Sequence, residues 1–349
     1  MSQDLVYPYG AASCSAAFKT TAQDFEVEEQ LGFEPDGEGE HLFLWIEKTG
    51  LGTMQLVERL AQEMGLKPAL FGHSGLKDKN ALTRQWLSVH LPGKDSPITA
   101  LSNDGYRILR HARHSRKLRP GSHRGNQFRI CLRELNGFGQ ETRTQIDAIK
   151  RQGFANYFGQ QRFGRDNVRQ ALDQLGKRRL SRARRSIYLS SLRSQLFNEI
   201  LAQRIRLGHW CEPVEGDVFM LRGSHSIFSD TIDAELLERY HGMDISSCAS
   251  LYGAGRNLMA GQALEIEQQQ LALRADITEC LERNGSKLQM RALRACADSL
   301  EYDYDAADKS LRLEFSLPAG CYATSLLQHF AQLEDLSQAS CGKRKTSPR

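Results

Sequence analysis

Apolar and polar residues alternate through Asp24-Phe25-Glu26-Val27-Glu28, inside a stretch (16–30) that reads as a short strand leaving a turn. Phe25 and Val27 therefore share one face. His41 to Glu47 is apolar enough for a buried strand, after a loop marked by Pro35, Gly37 and Gly39. From Thr53 the period lengthens. Met54, Val57, Leu60 and Met64 fall along one face of a helix that Thr53 can cap and that ends before Pro68. Strand character returns in Trp86 to Leu91, stopped by Pro92-Gly93, and again in Tyr106 to His111 and Asn126 to Leu135. Thr142 to Arg151 has helical spacing. Strands, loops and helices mixed in this way predict an α+β fold with a mainly antiparallel sheet.

The pattern changes near residue 152. Asp166 to Leu175 and Ser186 to Leu207 are helical by period, and Ala272 to Arg283 and Gln289 to Cys296 read the same way. A short β-like stretch lies in Val214 to Phe228. Leu300 to Tyr304 and Leu311 to Leu317, joined by a turn at Asp305 to Lys309, give a hairpin signal. Pro318-Ala319-Gly320 breaks it, and Ala323 to Leu336 reads as a helix. Strand-rich, helix-rich and strand-rich segments in that order predict a mostly helical domain inserted into an α+β domain. The expected boundaries are 1–151, 152–297 and 298–349, the last ending in a polar, basic tail from Gly342.

Composition narrows the function classes. At 349 residues the chain can form two cores. No apolar run is long enough to span a bilayer, and the N-terminus has no signal-peptide pattern, so the expected location is the cytoplasm, with no membrane partner. The 8 cysteines include no Cys-x-x-Cys pair, and His73, His90, His111 and His114 lack cysteine partners at zinc spacing. They read as reduced thiols, with no metal site and a monomer as the default state. Gly253-Ala254-Gly255-Arg256 is too short for a nucleotide loop, and no phosphate-loop motif exists, which argues against ATP or dinucleotide chemistry.

The net charge of +4 hides a segregated distribution. From Tyr106 to Ile130 there is no Asp or Glu, yet Arg107, Arg110, Arg113, Arg116, Lys117, Arg119, Arg124 and Arg129 all occur. A second acid-free run covers Lys177 to Arg185, and acid is concentrated in Asp24 to Glu40. Such separation suggests a positive surface facing a polyanion, with nucleic acid as the expected partner.

Candidate chemistry lies in Gly75-Leu76-Lys77-Asp78-Lys79-Asn80-Ala81-Leu82-Thr83-Arg84-Gln85-Trp86. Asp78 sits between two lysines, whose charges favour its ionised form. An ionised carboxylate can act as a nucleophile, and the lysines can draw in a polyanionic substrate. Taken alone, Lys-Asp-Lys is also an ordinary solvated charge cluster.

Five segments, in order, resemble the TruD family of tRNA pseudouridine synthases. They are Phe18 to Glu29, Gly75 to Trp86, Gly125-Asn126-Gln127-Phe128, Asn156-Tyr157-Phe158-Gly159-Gln160-Gln161-Arg162-Phe163-Gly164, and Leu317 to Ser325. The resemblance implies a circularly rearranged pseudouridine-synthase catalytic domain carrying an inserted TRUD domain. It also implies isomerisation of a tRNA uridine, position 13 of the D-arm, with no cofactor and no metal. By the same resemblance Asp78 is the catalytic nucleophile, Lys19 its basic partner, and Phe25, Asn126 and Tyr322 contact a flipped-out base. Tyr322 stands where the family commonly has phenylalanine. The RNA backbone is expected to meet Lys77, Lys79, Arg116, Lys117, Arg119, Arg124 and Arg162. Each of these has a plainer alternative: Phe25 as core, Asn126 as a turn residue, Arg162 as a junction residue, the lysines and arginines as solvated charges. A non-catalytic RNA-binding protein or chaperone is the alternative to the enzyme. A methyltransferase is disfavoured by the lack of a Gly-rich cofactor loop.

Overall fold

The computed structural model describes residues 5–93, 102–164, 166–177 and 179–338. Arg178 and the basic tail from Gly342 lie outside the described residues. The chain forms two compact units. A sheet unit contains 14–138, 297–320 and the chain from 331; a helical unit contains the chain up to 13, 139–296 and 321–330. By packing, the chain passes into the helical unit at 138/139, and 321–330 also joins that unit.

In chain order the sheet unit supplies β1 (Cys14–Phe18), β2 (Phe25–Gln30), β3 (His41–Lys48), α1 (Thr53–Glu63), β4 (Phe71–His73), β5 (Leu82–His90), β6 (Ser102–Asn103), β7 (Tyr106–His114) and β8 (Gly125–Asn136). The helical unit follows with α2 (Gln140–Gln152), β9 (Phe154–Ala155), α3 (Asn167–Gln174), α4 (Arg182–Arg206), β10 (Phe219–Leu221), β11 (Ile227–Phe228), α5 (Ala234–His241) and β12 (Ile245–Leu251). It continues through α6 (Gly261–Ala272), α7 (Ala275–Arg283), β13 (Gln289–Ala292) and β14 (Arg294–Ala295). The hairpin β15 (Asp298–Asp305) and β16 (Ser310–Pro318) returns to the sheet unit, α8 (Ala323–Leu327) belongs to the helical unit, and β17 (Ala331–Asp335) closes the sheet.

The sheet runs β15-β16-β8-β2-β5-β3-β7-β6, with β4 paired to β5, and β1 bridging β8 and β17. Only β2–β5 and β1–β17 are parallel among the described pairs, so the sheet is mixed and mainly antiparallel, as the pattern predicts. One core forms where Leu42, Leu44 and Ile46 of β3 and Leu87 and Val89 of β5 meet Leu56, Val57 and Leu60 of α1. The same face continues into an aromatic row, because Val27 of β2 is in register with Thr83 of β5, which shares the face of Leu87 and Val89. Val27, Phe128 and Phe315 are in register across β2, β8 and β16. Phe128 stacks on Phe315 with centroids 5.4 Å apart, and Phe25 meets Phe18 edge-on at 5.2 Å.

Several expectations change. Met54 is 49% exposed, and α1 instead buries Leu56, Val57, Leu60 and Ala61. Thr53 is the first helical residue rather than the cap: the cap is Gly52, whose N–H donates to Gln55 Oε1 at 3.0 Å. Gln289 to Cys296 is not helical. Its residues form β13 and β14, because β12, buried along nearly its whole length, needs a partner for its backbone, and β13 supplies it. Ala323 to Leu336 splits after Leu327. Its end becomes β17, which pairs with β1 from Cys14↔Ala331 to Phe18↔Asp335 and satisfies that strand's open edge.

In the helical unit, α4 starts at Arg182, a turn earlier than its apolar period suggests, with Ser181 Oγ accepting from Arg184 N at 3.3 Å. Phe197, Ile200 and Leu201 of α4 pack with Tyr157, Phe158 and Trp210; Leu192 and Leu196 pack with Ala171, Ile277 and Leu281. The strands form a β11-β10-β12-β13 sheet and a β14-β9 pair. Among the described residues, no helix is long and apolar enough to cross a membrane.

Candidate active site

Lys19 follows β1 and has φ +57°, a left-handed conformation that costs a residue with a side chain roughly 1–3 kcal/mol. That geometry turns its ammonium inward. The residue is 4% exposed, with Nζ 4.6 Å from the Phe25 ring centroid and 5.1 Å from that of Phe18. Its ion-pair partner is Asp78 Oδ2.

Asp78 is gripped from three directions. Lys19 holds Oδ2, and the Asn80 N–H donates to Oδ1 at 3.0 Å. Lys48 Nζ donates to the Asp78 main-chain oxygen at 2.9 Å and to Leu51 O at 2.6 Å. Burial alone would raise the Asp78 carboxyl. The Lys19 charge and hydrogen bond, the Asn80 N–H and the Lys48 charge outweigh it and hold the group below the usual carboxylate range. Burial pushes the Lys48 amine down to about 8, against the pull of Asp78. The Asp78 side chain keeps 24% exposure, so the carboxylate is ionised, oriented and still reachable.

The residues around Asp78 are equally fixed. The Lys77 N–H donates to Thr53 Oγ1 at 2.8 Å, and Thr53 Oγ1 donates to Gln85 Oε1 at 2.9 Å. Gly121 N donates to Ser74 O at 2.6 Å, and Gly50 N to Lys79 O at 3.0 Å. The Lys77 side chain turns inward to pair with Glu29, whose Oε1 also accepts from Trp86 N at 3.2 Å. This corrects the expectation that Lys77 meets RNA phosphate: its side chain is 6% exposed and its partner's 0%. Glu29→Gln should leave a buried ammonium unpaired and lower stability by about 3–5 kcal/mol. Urea unfolding measures this. A Lys77 whose task was phosphate contact would instead leave the unfolding midpoint unmoved.

Asn126 lies opposite Glu29 in the β2–β8 register and opposite Leu317 in β8–β16. Facing positions on neighbouring strands share a face, so Asn126 stands on the face that carries Glu29 and Phe25. Its Oδ1 is buried and has no hydrogen-bond partner among the described residues. The preceding Gly125 is required by space, because a Cβ there would sit 2.4 Å from Leu317 O.

The remaining expected residues divide clearly. Phe25 is 5% exposed and forms the bed under Lys19, which is its core alternative rather than an open stacking platform. Lys79, Arg116, Arg119 and Arg124 are exposed, and no ion pair among the described residues holds them. Lys117 Nζ donates to Ala69 O at 2.7 Å. In the same basic stretch, Arg107 pairs with Glu47 and Arg129 with Glu314. Tyr322 and Arg162 belong to the helical unit. Tyr322 caps α8 and meets Phe158 edge-on at 6.1 Å, its hydroxyl without a hydrogen bond among the described residues. Arg162 lies over the Phe158 ring at 5.3 Å, and its buried Nε lacks a partner among the described residues.

The family model for tRNA pseudouridine synthase D (TruD) matches residues 4–177 and 166–330. The chain belongs to the TruD family. A TruD protein from Methylococcus capsulatus, a tRNA pseudouridine synthase D, is 42% identical over 95% of both chains. One from Aeromonas salmonicida is 41% identical over 96% of both. A TruD crystal structure from Methanosarcina mazei matches the fold with a TM-score of 0.69 at 20% identity, covering 93% of this chain and 95% of that one. Within this TruD chain, Lys48, Glu29 and Thr53 are the site-building residues that sequence reading missed. For Lys48 and Glu29 the signal is strand parity: Lys48 continues the Leu42-Leu44-Ile46 face, and Glu29 the Phe25-Val27 face.

Proposed function

We propose that this protein isomerises uridine 13 in the D-arm of tRNA to pseudouridine, with Asp78 acting on a base taken out of its stack. The observation that carries the reading is the Lys19–Asp78 pair, an ionised and partly open carboxylate, in a TruD chain. The reaction breaks N1–C1′, turns the uracil and forms C5–C1′. One proton leaves C5 and one arrives at N1, so the change balances within the nucleoside and calls for no cofactor. Asp78 serves this by attacking C1′ or C6, or by stabilising charge at C1′ and assisting proton removal from C2′.

The unpartnered Asn126 Oδ1 suits an N–H of the uracil edge. Tyr322 supplies a ring for stacking, and Lys79, Arg116, Lys117, Arg119 and Arg124 face the backbone. On this reading Phe25 acts through Lys19, 152–297 is the inserted domain, and a single chain works in the cytoplasm. The test is incubation with an unmodified tRNA transcript bearing uridine at position 13, without cofactor or metal, followed by carbodiimide mapping. A single new stop at that position is expected. Conversion elsewhere would move the target, and no conversion of any bound tRNA would return the protein to simple RNA binding. Asn126→Ala should lower kcat/KM roughly 10- to 100-fold, from one lost hydrogen bond in a dry site. An unchanged kcat/KM would remove Asn126 from the base pocket.

A further inference from the structure

The arginines at the start of α4 help line an open cavity of about 460 Å³ in the helical unit. Arg182, Arg185, Ser186, Ser190 and Arg193 line it at helical spacing, so they share one face of α4, and Ser286 closes the side. Among the described residues no carboxylate contributes to the lining. Elsewhere in the same unit arginines are matched by acids: Arg204 with Asp217, Arg239 with Asp244, and Arg274 with Glu199.

The cavity arginines are held differently. Arg193 donates to Leu251 O, Lys287 O and Gln289 Oε1 at 2.8–3.1 Å, all uncharged acceptors, and its buried Nε has no partner among the described residues. Arg185 donates to Asn284 O at 3.0 Å and to Asn284 Oδ1 at 3.3 Å. Arg182 is exposed and has no ion pair among the described residues. These bonds orient the guanidinium groups without neutralising them. Arg182 and Arg185 also sit in the first turn of α4, where the helix dipole disfavours cations. An anion in the cavity relieves both penalties.

We infer that this cavity is a phosphate-binding site, and that its occupant is a phosphodiester of the substrate RNA backbone. Guanidinium forks match phosphate oxygens in pairs, and the serine hydroxyls add neutral donors. The volume takes a phosphate with its flanking sugar. The site rests on the proposed function for the identity of the RNA. It adds a docking point contributed wholly by residues 182–286, separate from the Lys19–Asp78 pair.

The test measures tRNA affinity against salt for wild type, Arg182→Ala/Arg185→Ala and Arg193→Gln. The double variant changes exposed side chains and covers the case in which Arg193→Gln fails to fold. Removing one phosphate contact should reduce the slope of log K against log salt by about one. Affinity should fall roughly tenfold in low salt, with KM for tRNA rising alongside. A wild-type slope and KM in the double variant, with wild-type protein converting tRNA normally, would overturn the site and leave the proposed function standing. If wild type neither binds nor converts tRNA, both fall. A separate titration with inorganic phosphate and with uridine 5′-monophosphate distinguishes the source. Saturable binding of either that the double variant loses, beside an unchanged tRNA slope, would assign the cavity to a free phosphate and overturn the backbone assignment.

Discussion

Asp78→Asn is expected to abolish conversion of tRNA, by at least about 10⁴-fold, while binding changes only a few-fold. The replacement is nearly isosteric. An asparagine oxygen can still accept from Asn80 N–H, and Lys48 still holds the main-chain oxygen of residue 78. What disappears is the negative charge, and every chemical route open to this carboxylate needs it. Single-turnover carbodiimide mapping reads the rate, and filter binding reads the affinity. Conversion within tenfold of wild type would remove Asp78 from the chemistry. Loss of tRNA binding together with loss of circular dichroism would instead show that the charge holds the loop in place.

The sequence pattern carried the strands of the central sheet because each buried face repeats with period two. The local pattern marks Asp78 by its flanking lysines, but its pairing with Lys19 comes only through the family resemblance: nothing local predicts that residues 59 positions apart form one ion pair. The failures have physical causes. Gln289 to Cys296 and Ala331 to Asp335 contain apolar residues at spacings a helix would accept, and long-range pairing decided otherwise. Lys77 reads as a surface cation because it belongs to the charged triplet Lys77-Asp78-Lys79. Its partner, Glu29, is distant in sequence but on a face that Phe25 and Val27 already mark as buried. The same parity places Lys48 inside, where a lysine next to Glu47 reads as solvated. Buried charges were legible once strand alternation was carried past the last apolar residue.

Lys19→Met is expected to lower kcat by about 10²- to 10³-fold, and to change the pH dependence as well as the rate. Methionine matches the lysine stem and suits the Phe18 and Phe25 rings, so packing survives. The electrostatic balance does not. Burial raises the Asp78 carboxyl and Lys19 is the largest influence opposing it; without Lys19, burial gains ground. The sign follows from the direction of the shift. In wild type the Asp78 pKa is depressed, so the reactive anion persists as pH falls and is lost only on passing below its lowered value. In the variant that loss begins at higher pH, and activity declines sooner on acidification. Profiles of kcat/KM in neutral and mildly acidic buffers would show the acid limb moving upward. Lys19→Arg provides the control for charge: it retains the cation, so the limb should return toward its wild-type position even if the longer fork costs rate. A Lys19→Met profile parallel to wild type, merely scaled down, would mean that Lys19 orients Asp78 without setting its ionisation. In that case Lys48, whose amine lies at about 8 and whose charge also bears on Asp78, would carry the electrostatic part.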